Sequence, residues 1–325
     1  MSSLFKQALG VDFGTMNLSI SDGRKGTVLR EPSVAALHPV SGELLAVGEA
    51  ASALIRQAPG KAMALHPVNS GCILDYHVAR RMLKYFLKRM REGNPMAYSV
   101  KVVMCARPGM GSSEKLAMEE AARYAGAREV SLIEEPIAAG IGAGIHVFEP
   151  RGRMIVELGA GEGSASVISL GGVVEFEKIG TGGSFMNRSI AQYLLSAYGV
   201  HVGETAAEAI KLTYHTQEGE MTALGRGEKS GLPEEIHFRP KEIEQALLPV
   251  RENILQCVIA LFKKTPPELV SDISEEGILL LGGAALLPGL AEYLEKSTGV
   301  RTQIAKHPFS APCKGAAFAG QMGNC

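Results

Sequence analysis

The sequence predicts an α/β protein built as two copies of one structural plan, because the same strand–turn–strand unit occurs twice. Near the N-terminus, an apolar run that contains Asp12 turns at Gly14 and resumes as a second apolar run. Residues 153–170 repeat this design near the middle of the chain, with a glycine-rich turn at 159–163. The first unit leads into a segment in which strands and helices alternate, and the second into a similar series. At 325 residues, the chain is long enough for two hydrophobic cores.

The composition is that of an ordinary soluble globular protein, with 46% hydrophobic and 21% charged residues. The 33 basic and 34 acidic residues balance, so the sequence lacks the electrostatic footprint of a nucleic-acid-binding protein. The five cysteines are scattered without a CxxC pair, which favours reduced thiols over disulfides or a metal site. No segment reaches the roughly 18 apolar residues of a membrane span, and residues 1–8 are too short for a secretory signal. We therefore expect a cytoplasmic protein.

The first half of the chain is predicted to contain a hairpin, a small inserted subdomain and a series of helices and strands. The inserted subdomain is the β-rich piece at about 31–65, in which proline and glycine separate short apolar runs. The elements that follow are a helix at 78–90, a strand at 100–105, a helix at 112–124, a strand at 130–133 and a helix at 136–144. Ser112 or Ser113 suits the cap of the second helix, and Pro136 suits the first turn of the third.

The second half repeats this plan with a hairpin at 153–170 and its own inserted subdomain. That subdomain covers about 183–244 and includes a polar, glycine-rich stretch at 216–233. The predicted elements are a strand at 173–178, helices at 184–198, 204–214 and 241–262, a strand at 277–281, a helix to residue 296, a strand at 301–304 and a helix at 311–320. We expect Pro249 to kink or split the helix in which it lies.

This order predicts two lobes, the first formed by residues 1–146 together with 310–325 and the second by residues 147–309. Each hairpin ends a strand near a carboxylate and turns through glycine, which leaves backbone N–H groups for an anion. We infer that the two lobes enclose a cleft, in which the hairpins face each other and hold a nucleoside triphosphate with its metal.

Several longer motifs resemble one family of proteins. They are REPSVA at 30–35 with LAVG at 45–48, LIEEPIAA at 132–139 with IGAG at 141–144, and PPEL at 266–269 with SDI at 271–273. The chain resembles the superfamily of actin, heat-shock chaperone and sugar-kinase ATPases, and most specifically the bacterial actin family of MreB, over nearly its whole length. The resemblance implies a duplicated actin-like ATPase fold with two lobes around a nucleotide cleft.

The resemblance also implies which residues bind ATP and Mg²⁺. In the first turn, Asp12 would position Mg²⁺ through water, and phosphate would be contacted by Gly14, Thr15, Met16 and Asn17. In the second turn, Glu157 would position Mg²⁺ through water, and phosphate would be contacted by Gly159, Ala160, Gly161 and Glu162. Glu135 would orient the water that attacks the terminal phosphate.

Two further segments are implied to contact the nucleoside. A helix would lie over adenine and ribose with Glu204, Ala207, Glu208 and Lys211, and a small-residue loop would bind adenosine with Gly282, Gly283, Ala284 and Ala285. Simpler interpretations stay open from the residues alone. Asp12 also suits an ordinary turn, Glu135 a solvated strand end, the helix charges an exposed helix, and the glycine pair a plain strand-to-helix turn.

The second turn departs from the family pattern. Glu157 replaces an aspartate, Ala160 adds a Cβ where the backbone approaches phosphate, and Glu162 replaces a threonine. An acidic side chain roughly 4 Å from a phosphate charge is repelled by about 4 kcal/mol at an effective dielectric constant near 20, so Glu162 either rotates away or reaches the metal. Ser184 and Asn187 also replace two family acids, and Ala284 replaces a third glycine. We therefore expect slow ATP hydrolysis or none.

The resemblance implies a cytoskeletal protein that polymerises with itself into protofilaments and organises cell shape and cell-wall synthesis. Its implied partners are the cytoplasmic membrane surface and membrane-bound cell-shape proteins. Leu4–Phe5 and Pro95–Tyr98 are candidate membrane contacts, although both also suit ordinary surface or core. One alternative is a non-polymerising nucleotide-binding regulator or scaffold. The other is a small-molecule kinase of the same superfamily, which would need a catalytic aspartate facing a substrate pocket.

Overall fold

The protein is built around two five-stranded sheets. The computed structural model describes residues 8–23, 27–58, 60–69, 71–92 and 101–323. The elements of the first half are β1 (Ala8–Phe13), β2 (Asn17–Ser21), β3 (Thr27–Pro32), β4 (Ala35–Leu37), β5 (Leu44–Val47), α1 (Glu49–Gln57), β6 (Met63–Leu65), β7 (Val68–Asn69), β8 (Cys72–Ile73), α2 (Tyr76–Glu92), β9 (Lys101–Ala106), α3 (Ser112–Tyr124), β10 (Glu129–Glu134) and α4 (Glu135–Ala143). The candidate membrane contacts at residues 4–5 and 95–98 lie outside the described residues.

The second half contains the other sheet and most of the long helices. Its elements are β11 (Arg153–Leu158), β12 (Gly163–Ser169), β13 (Gly172–Ile179), α5 (Gly183–Tyr198), β14 (Val200–His201), α6 (Glu204–Thr213), β15 (Met221–Gly227), β16 (Pro233–Phe238), α7 (Pro240–Lys264), α8 (Pro267–Glu276), β17 (Ile278–Leu281), α9 (Leu290–Thr298), β18 (Thr302–Ile304) and α10 (Ala311–Met322). In the described part of the chain, every helix is too short or too polar to span a bilayer.

The first sheet has the strand order β10-β9-β1-β2-β3. β1 and β2 form an antiparallel hairpin, whereas β9 pairs in parallel with both β1 and β10. Parallel strands are usually buried on both faces, and β9 shows this. Val102 and Met104 pack with the α2 side chain Phe86 on one face, while Val103 packs with Ala316 of α10 on the other.

The second sheet has the order β13-β12-β11-β17-β18. Two small three-stranded sheets, β5-β4-β6 and β14-β15-β16, lie in the predicted inserted subdomains. The short strands β6, β7, β8 and β14 were not predicted, because two or three residues show no periodicity. α7 runs through Pro249 as one helix, so the predicted split does not occur. Buried side chains on both sides of this proline, among them Leu247 and Val250, hold the helix to its core.

By their contacts, the described residues fall into two compact units. Unit 1 draws on the ranges 1–155, 167–174 and 305–325, and unit 2 on the ranges 156–166 and 175–304. The lobe boundaries inferred from the sequence, at 146/147 and 309/310, stay a prediction.

Within unit 1, the helix α10 packs on α4 with direct backbone contact. A Cβ atom added at Gly315 would overlap the carbonyl group of Ala138, and one added at Gly142 would overlap the carbonyl group of Ala311. Both glycines therefore allow an approach that a larger residue forbids. Close helix packing of this kind depends on the absence of side-chain atoms rather than on their complementarity.

We predict that Gly315→Ala destabilises unit 1. Overpacking costs about 1–3 kcal/mol, and we expect the upper part of this range because the obstructing atoms are backbone. Chemical denaturation followed by circular dichroism measures the effect. The matched control is Gly180→Ala, since a Cβ at Gly180 meets no atom within 4 Å. Equal stability of the two variants would contradict the packing account.

Candidate nucleotide-binding site

The first predicted turn joins β1 to β2 and is closed by a backbone hydrogen bond. The Gly14 N–H donates to the Asn17 carbonyl at 3.0 Å, and the Ser33 N–H donates to the Met16 carbonyl at 2.9 Å. A Cβ at Gly14 would lie 3.0 Å from the Asn17 carbonyl oxygen, which favours glycine there. The Met16 side chain is exposed, and Thr15 lies beside it in the turn. The turn therefore has a fixed backbone.

Asp12 and Glu135 stand at the same edge of the first sheet. Asp12 is near the carboxyl end of β1 and Glu135 directly follows β10, and both strands run parallel to β9. Burial raises the pKa of Asp12 to about 8, the negative charge of Glu135 adds to this rise, and the positive charge of Arg30 opposes it. The structure thus brings together two carboxyl groups that the sequence assigned to metal and water.

The carboxyl groups of Asp12 and Glu135 suit a cation whose other ligands are phosphate oxygens and water. A nearby positive charge favours the ionised form of a carboxyl group. Mg²⁺ is usually held by one or two carboxylates together with phosphate oxygens and water. Among the described residues, no three His, Cys, Asp or Glu side chains converge on one metal position. The residues present therefore fit Mg²⁺ bound with a phosphate chain better than Mg²⁺ in a cage of protein ligands.

The second turn joins β11 to β12 and is held by the start of α5. The Gly159 N–H donates to the Glu162 carbonyl at 3.0 Å. The N–H groups of Gly183 and Ser184 donate to the carbonyls of Gly159 and Ala160, at 3.0 Å and 2.8 Å. Helix N-termini carry such N–H groups without partners inside the helix, and here two of them position the turn.

Gly182 makes this arrangement possible. A Cβ at Gly182 would lie 2.7 Å from the Ala160 carbonyl oxygen and 2.8 Å from that of Gly159. Ser184 and Asn187, which replace acids of the family pattern, both lie on α5, and Asn187 is buried. Ser184 therefore contributes through its backbone, where the family has a carboxylate side chain.

The Glu162 side chain forms an ion pair with Lys178 of β13. Its Oε1 lies 2.8 Å from the Lys178 Nζ, and the Lys178 side chain is 56% exposed. Sequence reasoning left Glu162 to rotate away or reach a metal, and in the structure it points to this lysine. Lys178 was missed because the pair joins the second turn to β13, and the register of β13 in the sheet is not visible in a single sequence.

Lys211 of α6 is buried and also reaches the start of α5. Its Nζ donates to the Glu208 carboxylate at 2.6 Å and to the Gly183 carbonyl at 3.3 Å. Ala207, on the same helix, is fully buried, and Glu204 is exposed. Lys211 therefore connects the predicted nucleoside helix to the residues that hold the second turn.

The loop Gly282–Ala285 lies against the end of β11. Gly282 has a φ of 84°, and a Cβ there would overlap the carbonyl group of Leu158. A short 3₁₀ turn covers Gly283–Leu286, in which Ala284 and Ala285 are buried. Glu157 is partly buried beside Leu158 on β11. Unit 2 thus brings together the end of β11, the second turn and the adenosine loop proposed from the sequence.

The raised pKa of Asp12 predicts how stability depends on pH. Folding raises this pKa from 3.8 to about 8, so the folded protein retains a proton that the unfolded chain has lost. The stabilising effect is complete below pH 4 and is lost as the pH rises toward 8, with a slope of at most about 1.4 kcal/mol per pH unit.

Asp12→Asn removes this carboxyl group and should flatten the slope. We expect its stability relative to the wild type to increase between pH 5 and pH 8 in urea denaturation. The control is Glu218→Gln, which changes an exposed carboxylate. A difference between Asp12→Asn and the wild type that stays constant over this range would refute the assignment.

Nearly the whole chain is similar to MreB and Mbl proteins. The family model described as MreB/Mbl protein matches residues 6–323. The cell shape-determining protein Mbl of Bacillus subtilis is 36% identical over 310 residues, which cover 94% of this chain and 93% of Mbl. The cell shape-determining protein MreB of Escherichia coli is 37% identical over 330 residues, which cover 98% of this chain and 94% of MreB.

Solved structures confirm the actin-like fold. MreB5 of Spiroplasma citri bound to ADP has a TM-score of 0.90 at 29% identity and covers 98% of this chain and 97% of its own. The same protein bound to AMPPNP has a TM-score of 0.91, with the same identity and coverage. The MamK double helical filament, with a TM-score of 0.79 at 18% identity over 97% of this chain and 98% of its own, shares the fold. The chain belongs to the MreB/Mbl family.

Proposed function

We propose that this protein is an ATP-binding cytoskeletal protein that polymerises into filaments and organises cell shape and cell-wall synthesis. The observation that carries the proposal is the similarity of nearly the whole chain to cell shape-determining proteins. The two hydrogen-bonded glycine turns support it, because both stand where the family resemblance implies phosphate contacts. We propose a cytoplasmic location, with the membrane surface and membrane-bound cell-shape proteins as further partners.

We propose ATP with Mg²⁺ as the ligand. The solved MreB5 structures hold ADP and AMPPNP, and the residue types of both units suit such a ligand. Asp12 with the turn Gly14–Asn17, and Glu157 with the turn Gly159–Glu162, are proposed to bind phosphate and the metal. The helix α6 and the loop Gly282–Ala285 are proposed to bind the nucleoside. The metal would supply positive charge that neutralises the phosphate oxygens.

The hydrolytic role is proposed for Glu135. A carboxylate that orients a water molecule accelerates its attack on a phosphoryl group mainly by positioning it. Glu135 begins α4, and it is close enough to Asp12 that its negative charge raises the pKa of Asp12. Glu157, Ala160 and Glu162 each alter the second turn, and we propose that hydrolysis is slow for this reason.

Glu135→Ala should strongly slow the residual hydrolysis. We expect phosphate release to fall by about 100-fold, the lower part of the range for loss of a general acid–base group, while ATP still binds. Malachite-green detection of phosphate measures the rate. The matched control is Glu134→Ala, which removes the neighbouring carboxylate at the end of β10. Wild-type turnover as fast as that of MreB relatives would contradict the weakened site, and a rate unchanged in Glu135→Ala would contradict its role.

Polymerisation separates the proposal from its main alternative. We expect the protein to sediment in the presence of ATP and to form filaments in electron micrographs. The MamK structure, a double helical filament, is a precedent for assembly by this fold. A protein that binds ATP but stays in the supernatant at all concentrations tested would instead be a non-polymerising regulator or scaffold.

A further inference from the structure

Glu162 stands in the second turn where the family pattern has an uncharged threonine. It forms an ion pair with Lys178, so a positively charged side chain lies beside this turn. Lys178 is the second-last residue of β13, and β13 is the neighbour of β12, which begins directly after Glu162. Only Leu170 and Gly171 separate these two strands, so the hairpin fixes the distance between the lysine and the turn. The pair therefore follows from the sheet and not from a flexible loop.

Lys178 pairs with Glu162 and not with the neighbouring residue Glu177, which has a different partner. Glu177, the residue before Lys178, is paired with Lys264 of α7 at 2.5 Å. Successive residues of a strand point to opposite faces of the sheet, so Glu177 and Lys178 are directed to different partners. The Lys178 carbonyl also accepts a hydrogen bond from the Cys257 thiol of α7 at 3.7 Å. The backbone that carries the lysine is thereby anchored.

We propose that Lys178 is a specificity-determining residue for the terminal phosphate of a nucleoside triphosphate. This inference rests on the proposed function, in which position 162 lies near that phosphate. A Glu162 carboxylate directed at the terminal phosphate would repel it, and the ion pair at 2.8 Å holds this carboxylate on Lys178 and offsets its charge. A diphosphate lacks the terminal group, so its affinity depends much less on the lysine. Lys178 thus sets the ratio of triphosphate to diphosphate affinity and acts through Glu162.

The solvent exposure of the Glu162–Lys178 pair limits its effect on nucleotide affinity. The side chains of Glu162 and Lys178 are 30% and 56% exposed, so solvent screens their charges. We therefore expect a change of about fivefold at most in the triphosphate-to-diphosphate ratio, and not the loss of all binding. A purely structural role of Lys178 would lower both affinities together.

Equilibrium binding of AMPPNP and ADP, each with Mg²⁺, tests the proposal. The wild type is compared with Lys178→Ala, Glu162→Thr and the double variant, below the concentration at which the protein sediments. We expect Lys178→Ala to weaken AMPPNP binding about fivefold and ADP binding less than twofold. In the Glu162→Thr background, the lysine substitution should have a much smaller effect, because only the direct attraction between the lysine and the phosphate is then lost. The matched control is Lys264→Ala, which breaks the neighbouring exposed pair with Glu177 and should leave the ratio unchanged.

Three results would overturn the inference. Lys178→Ala could leave the ratio of affinities unchanged, whether or not both affinities fall. The lysine substitution could weaken AMPPNP binding by the same factor when residue 162 is threonine, which would mean that Lys178 acts on the phosphate and not through Glu162. Failure of the wild type to bind either nucleotide would overturn the proposed function as well, and this result is distinct because it is seen without any variant.

Discussion

Backbone-to-backbone contact at positions without a Cβ atom is the constraint on which both units depend. In unit 1, Gly142 and Gly315 let α4 and α10 meet at their carbonyl groups. In unit 2, Gly182 admits the carbonyls of the second turn, and Gly282 admits the end of β11. The first pair sets the position of a helix behind the sheet. The second pair assembles the residues proposed to bind the nucleotide.

The two units differ in how the negative charge of their acidic residues is balanced. At the edge of the first sheet, Asp12 and Glu135 lie close enough that burial and mutual repulsion raise the pKa of Asp12. That arrangement is costly until a cation binds. At the second turn, the acidic residue Glu162 is compensated by Lys178, a cation of the protein itself. The negative charge at residue 162, where the family pattern has threonine, is thus paired within the protein.

Much of the fold was predictable because strong local signals agreed with the final structure. The glycine turns at Gly14 and 159–163, the apolar runs beside them and the longer helices followed from periodicity. The strands β6, β7, β8 and β14 did not, because tertiary pairing defines them. The predicted cap of α3 was wrong, because Gly111 and not Ser112 or Ser113 is its N-cap. Pro249 was expected to kink or split α7, and the split does not occur, because local propensity is weak against a buried helix face.

Within the candidate site, residue types were easier to predict than contacts. Asp12 and Glu135 were assigned through the family resemblance, which implies contacts with metal and water at these two positions. The contact of Lys211 with the Gly183 carbonyl and the pairing of Lys178 depend on how α5, α6 and β13 pack. These contacts join residues 16 to 28 positions apart in the sequence, and a single sequence carries no signal for them.

The position of α10 has a consequence for the order in which the chain is made. β1 and β9 are synthesised early, but the face of this sheet that holds Val103 is covered by Ala316, near the other end of the sequence. During vectorial synthesis, that apolar face stays open until α10 has left the ribosome. The last helix thus closes a core whose other parts were made first, which gives unit 1 a high contact order and slows its completion.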